Sequence, residues 1–195
     1  MKTFILNLPH RYERLTRARR EIAVFNPDIW SARVDTNGAL GLMCSMKDLM
    51  RRCLSAEWYP VMICEDDVRL THGAQYTRDV VYEALEQLPA GWQQMYLGAN
   101  IEQPRSLTKV SSLLYRVKHA KALHACVYSR EGLEWCLEVD GLPYDEHIAN
   151  ELHPQGNAYI TNPMLADQYP GWSDIRNKEV NYNFLTERYK NGEPK

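Results

Sequence analysis

The apolar run Val61-Met62-Ile63-Cys64 stops at three adjacent carboxylates, Glu65-Asp66-Asp67. The run has the length and β-branched content of a buried strand. Pro60 marks its start, because proline fits at the beginning of a strand and poorly inside one. Carboxylates grouped at the end of a buried strand repel one another unless a cation or a proton intervenes. In an open α/β sheet that end is also where ligands bind. Alternation of side chains along a strand predicts Glu65 and Asp67 on one face and Asp66 on the other. Two acids on one face suit a hard divalent ion, Mn²⁺ or Mg²⁺. The plainer alternative is an acidic strand end facing solvent.

The rest of the chain alternates strand and helix signals. Thr3 to Leu8 reads as a first strand, closed by Pro9, and Arg11 to Phe25 as a helix with Leu15, Ala18, Ile22 and Phe25 at helical spacing. A strand over Ile29 to Val34 precedes a helix over Leu40 to Ala56, whose apolar stripe is Met43, Met46, Leu49, Met50, Cys53 and Leu54. After the acidic strand come a helix over Gly73 to Leu88 and strands over Gln94 to Gly98, Leu113 to Val117 and Ala122 to Tyr128. Helices over Arg130 to Val139 and Asp145 to Leu152 lead to a last strand, Ala158 to Thr161. From Tyr169 onward periodicity fades. Strands separated by helices of this length predict an α/β fold, a mainly parallel sheet with helices on both faces. One domain is expected over 1–175, followed by a C-terminal tail over 176–195.

Composition narrows the function classes. The 195 residues suffice for one sizeable domain, and a net charge of −2 provides no general attraction for nucleic acid or membrane. The five cysteines lack C-x-x-C spacing and lie among apolar neighbours, which predicts reduced thiols and not a disulfide framework or zinc site. There is no signal peptide and no apolar stretch near 20 residues, so no integral membrane segment and a cytoplasmic protein are expected.

Other segments join the acidic strand. Asn7 and Leu8 follow the first strand and share its ligand-binding edge. Arg11 and Arg14 lie on one helix face near a helix start, where backbone N–H groups and arginines suit a phosphate. A solvated basic face is the alternative, and it is preferred for Arg17, Arg19 and Arg20. Gly38 and Gly41 open the second main helix, with Ser45 one turn further in; two glycines permit close backbone approach. Neither G-x-G-x-x-G nor a Walker lysine is present.

Taken in order, these segments resemble glycosyltransferase family 25, the lipopolysaccharide-biosynthesis and collagen galactosyltransferase-like domains. The resemblance lies in Phe4-Ile5-Leu6-Asn7-Leu8-Pro9 with Arg11 and Arg14, in Gly38-Ala39-Leu40-Gly41-Leu42-Met43-Cys44-Ser45-Met46, and in Ile63-Cys64-Glu65-Asp66-Asp67-Val68. It continues through Met95-Tyr96-Leu97-Gly98, the stretch His124 to Gly132, Pro143-Tyr144-Asp145 and Gln168 to Ile175. Leu42 and Met46 depart from it, standing where the family pattern has a cysteine and a histidine. Methionine neither donates a proton nor binds a hard metal well.

The resemblance implies a GT-A-type nucleotide-sugar-binding fold and a glycosyltransferase that inverts at the transferred sugar. The donor is a nucleotide-sugar, usually UDP-linked. It places Asn7, Leu8, Arg11, Arg14, Gly41, Ser45, Asp66 and Asp174 with the donor, and Glu65 and Asp67 on Mn²⁺ or Mg²⁺. Inversion needs a base for the incoming hydroxyl. Asp145 is the candidate, with Glu146 in reserve; the alternative for Asp145 is a helix N-cap. His147 or His153 could add a metal ligand, and Trp172 an acceptor platform. The hydroxyl acceptor is a glycan such as lipopolysaccharide, a hydroxymethylated DNA base or a hydroxylated protein side chain. Two other classes stay open: an inactive sugar-nucleotide-binding module, and a metal-dependent phosphotransferase or nuclease.

Overall fold

The apolar runs become the strands of one central sheet. The computed structural model describes residues 1–101 and 107–181. In chain order the strands are β1 (Lys2–Asn7), β2 (Asp28–Ser31), β3 (Val61–Glu65), β4 (Val68–Leu70), β5 (Gln94–Tyr96) and β6 (Leu107–Lys109). There follow β7 (Leu114–Val117), β8 (Ala125–Tyr128), β9 (Ala158–Thr161), β10 (Ala166–Gln168), β11 (Gly171–Ser173) and β12 (Lys178–Val180). The helices are α1 (Tyr12–Glu21), α2 (Gly38–Ser55), α3 (Ala74–Glu86), α4 (Arg130–Glu138) and α5 (Tyr144–Glu151).

Among the described residues, eight strands pair in the order β2-β1-β3-β8-β5-β9-β7-β6. β1 runs parallel to β2 and β3, and β5 parallel to β9, while β8 and β7 run against their neighbours. The sheet is therefore mainly parallel, as expected. Its strands alternate between two apolar layers. Phe4, Leu6, Val61 and Ile63 face α2, α4 and α5, meeting Met46, Leu49, Met50 and Leu133. Ile5, Met62 and Cys64 face α1 and α3, meeting Ala18, Ile22, Val80 and Val81. Cover on both faces explains why β1 and β3 read as unbroken apolar runs. The stripe expected on α2 is the buried one. Asn37 caps that helix, accepting from the N–H groups of Ala39 and Leu40. No helix among the described residues is long and apolar enough to cross a membrane.

Three expectations about local structure are corrected. α1 stops at Glu21, and a short 3-10 turn over Ala23–Phe25 replaces its last turn. β3 stops at Glu65, and the chain turns at Asp66-Asp67 before β4, so strand alternation does not reach Asp67. The boundary at residue 175 falls inside a hairpin: Gly171 pairs with Val180 and Trp172 with Glu179. Residues 176–180 thus belong to the domain. Strands of three residues carry too little periodicity to be seen in sequence. The remainder of the expected tail lies outside the described residues from 182 onward.

Past β5 the backbone runs against β10, and the N–H groups of Leu165 and Ala166 both donate to the Leu97 carbonyl. A Cβ on Gly98 would stand 1.8 Å from the Ala166 carbonyl oxygen, a clash with backbone that no side-chain rotation relieves. Gly98→Ala is expected to destabilise the protein by about 3 kcal/mol, the upper end of overpacking costs. Urea unfolding within about 0.5 kcal/mol of wild type would contradict this close approach.

Candidate active site

The parallel strands β1, β2 and β3 end on one edge, and a pocket of about 1330 Å³ opens there. Its floor is the carboxylate turn. Glu65 N–H donates to the His124 carbonyl in the last sheet bond of β3. Beyond it, Arg14 of α1 bridges both aspartates, at 2.7 Å from Asp66 Oδ1 and 2.9 Å from Asp67 Oδ2. Gln168 Nε2 also donates to Asp67 Oδ2, at 3.3 Å. A single guanidinium does not neutralise three acids. Burial pushes the Glu65 carboxyl well above its ordinary range, and the charges of Asp67, Asp145 and Asp66 push it further against the pull of Arg14. Burial likewise raises Asp66 to about 6, with Arg14 opposing. Glu65 and Asp67 are thus neighbours across a turn and not residues on one strand face.

These residues suit a divalent cation on two counts. Asp67 Oδ1 is buried and accepts no hydrogen bond. Burial, reinforced by its acidic neighbours, raises the Glu65 pKa, and a cation beside that carboxylate would oppose both effects. Among the described residues, no group of three His, Cys, Asp or Glu side chains could hold an ion together. A pair of carboxylates is what Mg²⁺ uses when phosphate oxygens and water complete its shell. The histidines expected as further ligands do not serve. His153 is fully buried with both ring nitrogens engaged, and His147 faces Glu151.

The hairpin of β11 and β12 forms one wall. Arg11 pairs with Asp174 at 2.6 Å, and Arg14 Nη1 donates to the Trp172 carbonyl at 3.2 Å. Gly38 allows the Asp174 backbone to rest on the start of α2, since a Cβ there would meet its carbonyl oxygen at 2.6 Å. Trp172 is 41% exposed at the rim. Leu8, Arg11, Arg14, Gly41, Asp66 and Asp174 therefore line the pocket together with Glu65 and Asp67. Asn7 and Ser45 lie outside its lining. Asn7 is buried and donates to the Leu8 carbonyl; Ser45 Oγ donates to the Gly41 carbonyl and accepts from Arg33 N–H, tying β2's exit to α2. Both had the right place along the chain but point into the protein.

The opposite wall is the start of α5. Asp145 caps nothing: Pro143 holds the N-cap position, and no side chain caps the helix. Asp145 Oδ2 instead accepts from Ala122 N–H at 3.0 Å, and Glu146 lies 3.5 Å from Lys121 Nζ. Asp145 is near enough to Glu65 to raise its pKa. Lys121 and Ala122 were not anticipated as part of the site. Ala122, expected to open a strand, lies in the connection before β8 with Lys121, and nothing short of the fold brings them to α5. Tyr169 lines the pocket, and Arg17 stacks on its ring at 4.1 Å, so that arginine is not a freely solvated one.

No family model matches the chain, and no curated protein matches it in sequence. Solved structures do. A197 from STIV superposes with a TM-score of 0.52 at 14% identity, covering 92% of this chain and 93% of that one. That likeness shows a shared fold. Drosophila galactosyltransferase 7, solved with manganese, UDP-Gal and xylobiose, aligns at a TM-score of 0.46 and 11% identity over 95% of this chain and 79% of its own. A putative glucose-1-phosphate thymidylyltransferase from Bacillus anthracis, solved with sucrose, aligns at 0.38 and 12% over 80% and 65%.

The raised Glu65 pKa sets a sign for stability. The unfolded chain releases this proton above about pH 4.5 while the folded state retains it, so this group's contribution to stability falls as pH rises. Glu65→Gln is expected to match wild type at about pH 4 and to gain on it by up to about 1.4 kcal/mol per pH unit above that. Urea unfolding without divalent ions measures the difference. Parallel pH profiles for the two proteins would rule out the confinement of Glu65 described here.

Proposed function

We propose that this chain is a glycosyltransferase with a GT-A-type fold, moving a sugar from a nucleotide-sugar, UDP-linked, to a hydroxyl acceptor with inversion and with Mn²⁺ or Mg²⁺. The observation that carries this is the convergence in one pocket of two under-neutralised carboxylates, Glu65 and Asp67, with a separately held third, Asp145. The resemblance of the ordered motifs to glycosyltransferase family 25 supports the same reading.

In this mechanism Glu65 and Asp67 would hold the ion, which would supply positive charge opposite a departing diphosphate. Arg11 and Arg14 would add charge-assisted contacts to the diphosphate from the α1 side. Asp145 takes the proton of the acceptor hydroxyl. The acceptor oxygen bonds to the anomeric carbon as the carbon–oxygen bond to the diphosphate breaks, its electron pair leaving with the nucleotide. Glu146 is engaged by Lys121, so Asp145 is the better-placed base. Trp172 offers its exposed ring to the acceptor sugar or base. The acceptor is a hydroxyl on a glycan, a modified DNA base or a protein side chain.

Calorimetry tests the donor half. UDP is expected to bind in the presence of Mn²⁺, and EDTA or Asp67→Ala to abolish it; equal affinity in all three cases sinks the metal assignment. Turnover tests the base. Asp145→Asn retains an oxygen for Ala122 N–H but cannot take a proton at neutral pH. It is expected to keep Mn²⁺–UDP binding and to lose about 10²–10⁴-fold in the rate of UDP-sugar cleavage. Near-normal turnover would remove Asp145 from the role. Tight binding without cleavage of any UDP-sugar would favour an inactive binding module.

A further inference from the structure

Residues 120–122 are pinned through all three of their backbone N–H groups. Ala120 N–H donates to His153 Nδ1 at 3.1 Å, Lys121 N–H to the Asn100 carbonyl at 3.1 Å, and Ala122 N–H to Asp145 Oδ2 at 3.0 Å. Asn100 N–H returns a bond to the Lys121 carbonyl at 2.9 Å. Two of the three acceptors sit at opposite ends of one short helix. Asp145 lies in the first turn of α5, and His153 follows closely after its last residue. Ala122 has φ +73°, the left-handed region that non-glycine residues seldom occupy. Such a conformation persists where the surroundings over-determine it, and it clusters at functional sites.

His153 is fully buried, and its two nitrogens have different partners. Because Nδ1 accepts from Ala120, the ring proton sits on Nε2 and is donated to Tyr96 Oη, 3.1 Å away. Burial holds the imidazole pKa down to about 3, so this neutral form persists through the working pH range. A ring fixed at both nitrogens is a rigid post between β5 and the 120–122 segment.

We infer that His153 is a positioning residue for Asp145: by holding Ala120 it keeps the strained Ala122 N–H on one carboxylate oxygen and leaves the other to the pocket. The inference rests on Asp145 acting as the base. A base that rotates freely presents its proton-accepting oxygen in the right direction only part of the time, and misplacement by about 1 Å costs on the order of 10²-fold in rate. His153 therefore acts on the reaction through Ala120 without touching it.

Two substitutions separate the nitrogens. His153→Asn places an acceptor oxygen near the position of Nδ1 and gives up the Tyr96 bond. His153→Gln reaches toward Tyr96 and gives up the Ala120 bond. Hydrogen exchange of the Ala122 amide, followed by NMR without nucleotide, is expected to stay slow in His153→Asn and to quicken about tenfold or more in His153→Gln. UDP-sugar cleavage with Mn²⁺ is expected to show kcat lowered about tenfold or more in His153→Gln, with KM unchanged, and near wild type in His153→Asn. A packing role alone would favour the larger glutamine, and equal behaviour of the two variants overturns the inference. So does a wild-type ¹⁵N spectrum showing a protonated His153 Nδ1 at neutral pH, a result that needs no variant to fold. A wild type that binds no UDP with Mn²⁺ overturns the glycosyltransferase proposal instead, while the exchange comparison still decides whether His153 holds Asp145's partner.

Discussion

Arg14 is the cation on which this edge of the molecule is organised. Its guanidinium contacts Asp66, Asp67 and the Trp172 carbonyl, joining α1 to the carboxylate turn and to the β11–β12 hairpin. Removing Arg14 from this partly buried ionic cluster would leave Asp66 and Asp67 without their shared cation. Burial raises the pKa values of Glu65 and Asp66, and neighbouring carboxylates add to it against the pull of Arg14. A cluster in that condition gains from any added cation. Under the proposed reading, these same residues would hold a metal-bound anion.

Strain is concentrated at the opposite wall as well. Ala122 sits in the left-handed region, and its amide is spent on Asp145. Before it, the backbone N–H groups of Ala120 and Lys121 have partners, and His153 is bonded on both sides. Local rules broken within a well-satisfied frame mark functional sites in natural proteins. The two walls also divide the labour by chemistry. The turn side carries under-neutralised acids with arginines, suited to phosphate and metal. The α5 side carries a carboxylate held by one backbone N–H.

The frame beneath both walls was legible in the chain. β1 and β3 are buried on two faces, so their apolar runs stand out, and the stripe of α2 follows because an 18-residue helix repeats its pattern five times over. Where periodicity was short, it failed. The strands of β4, β10, β11 and β12 are three residues long, and hairpin pairing between Trp172 and Glu179 leaves no trace in a window of that size. Asn7 and Ser45 show a second kind of failure. Their positions relative to β1 and α2 were right, yet side-chain direction at an element's end depends on what packs behind it, and both turn inward.

By itself the sequence determined the α/β class, the burial of β3 and the placing of Glu65, Asp66 and Asp67 at its ligand-facing end, because those follow from local hydrophobic patterning and from the abrupt change to charge. It also carried the ordered motifs on which the proposed function draws. Only the tertiary structure decided how the acids are used. Arg14 reaches Asp66 and Asp67 across some fifty residues of chain, Ala122 reaches Asp145, and Arg11 reaches Asp174 from the other end of the domain. Ion pairs and hydrogen bonds act over about 3 Å, whereas the pattern that sequence can register is confined to one element. The partners of each carboxylate, and hence its charge and direction, exist only once the sheet has brought those distant segments to one edge.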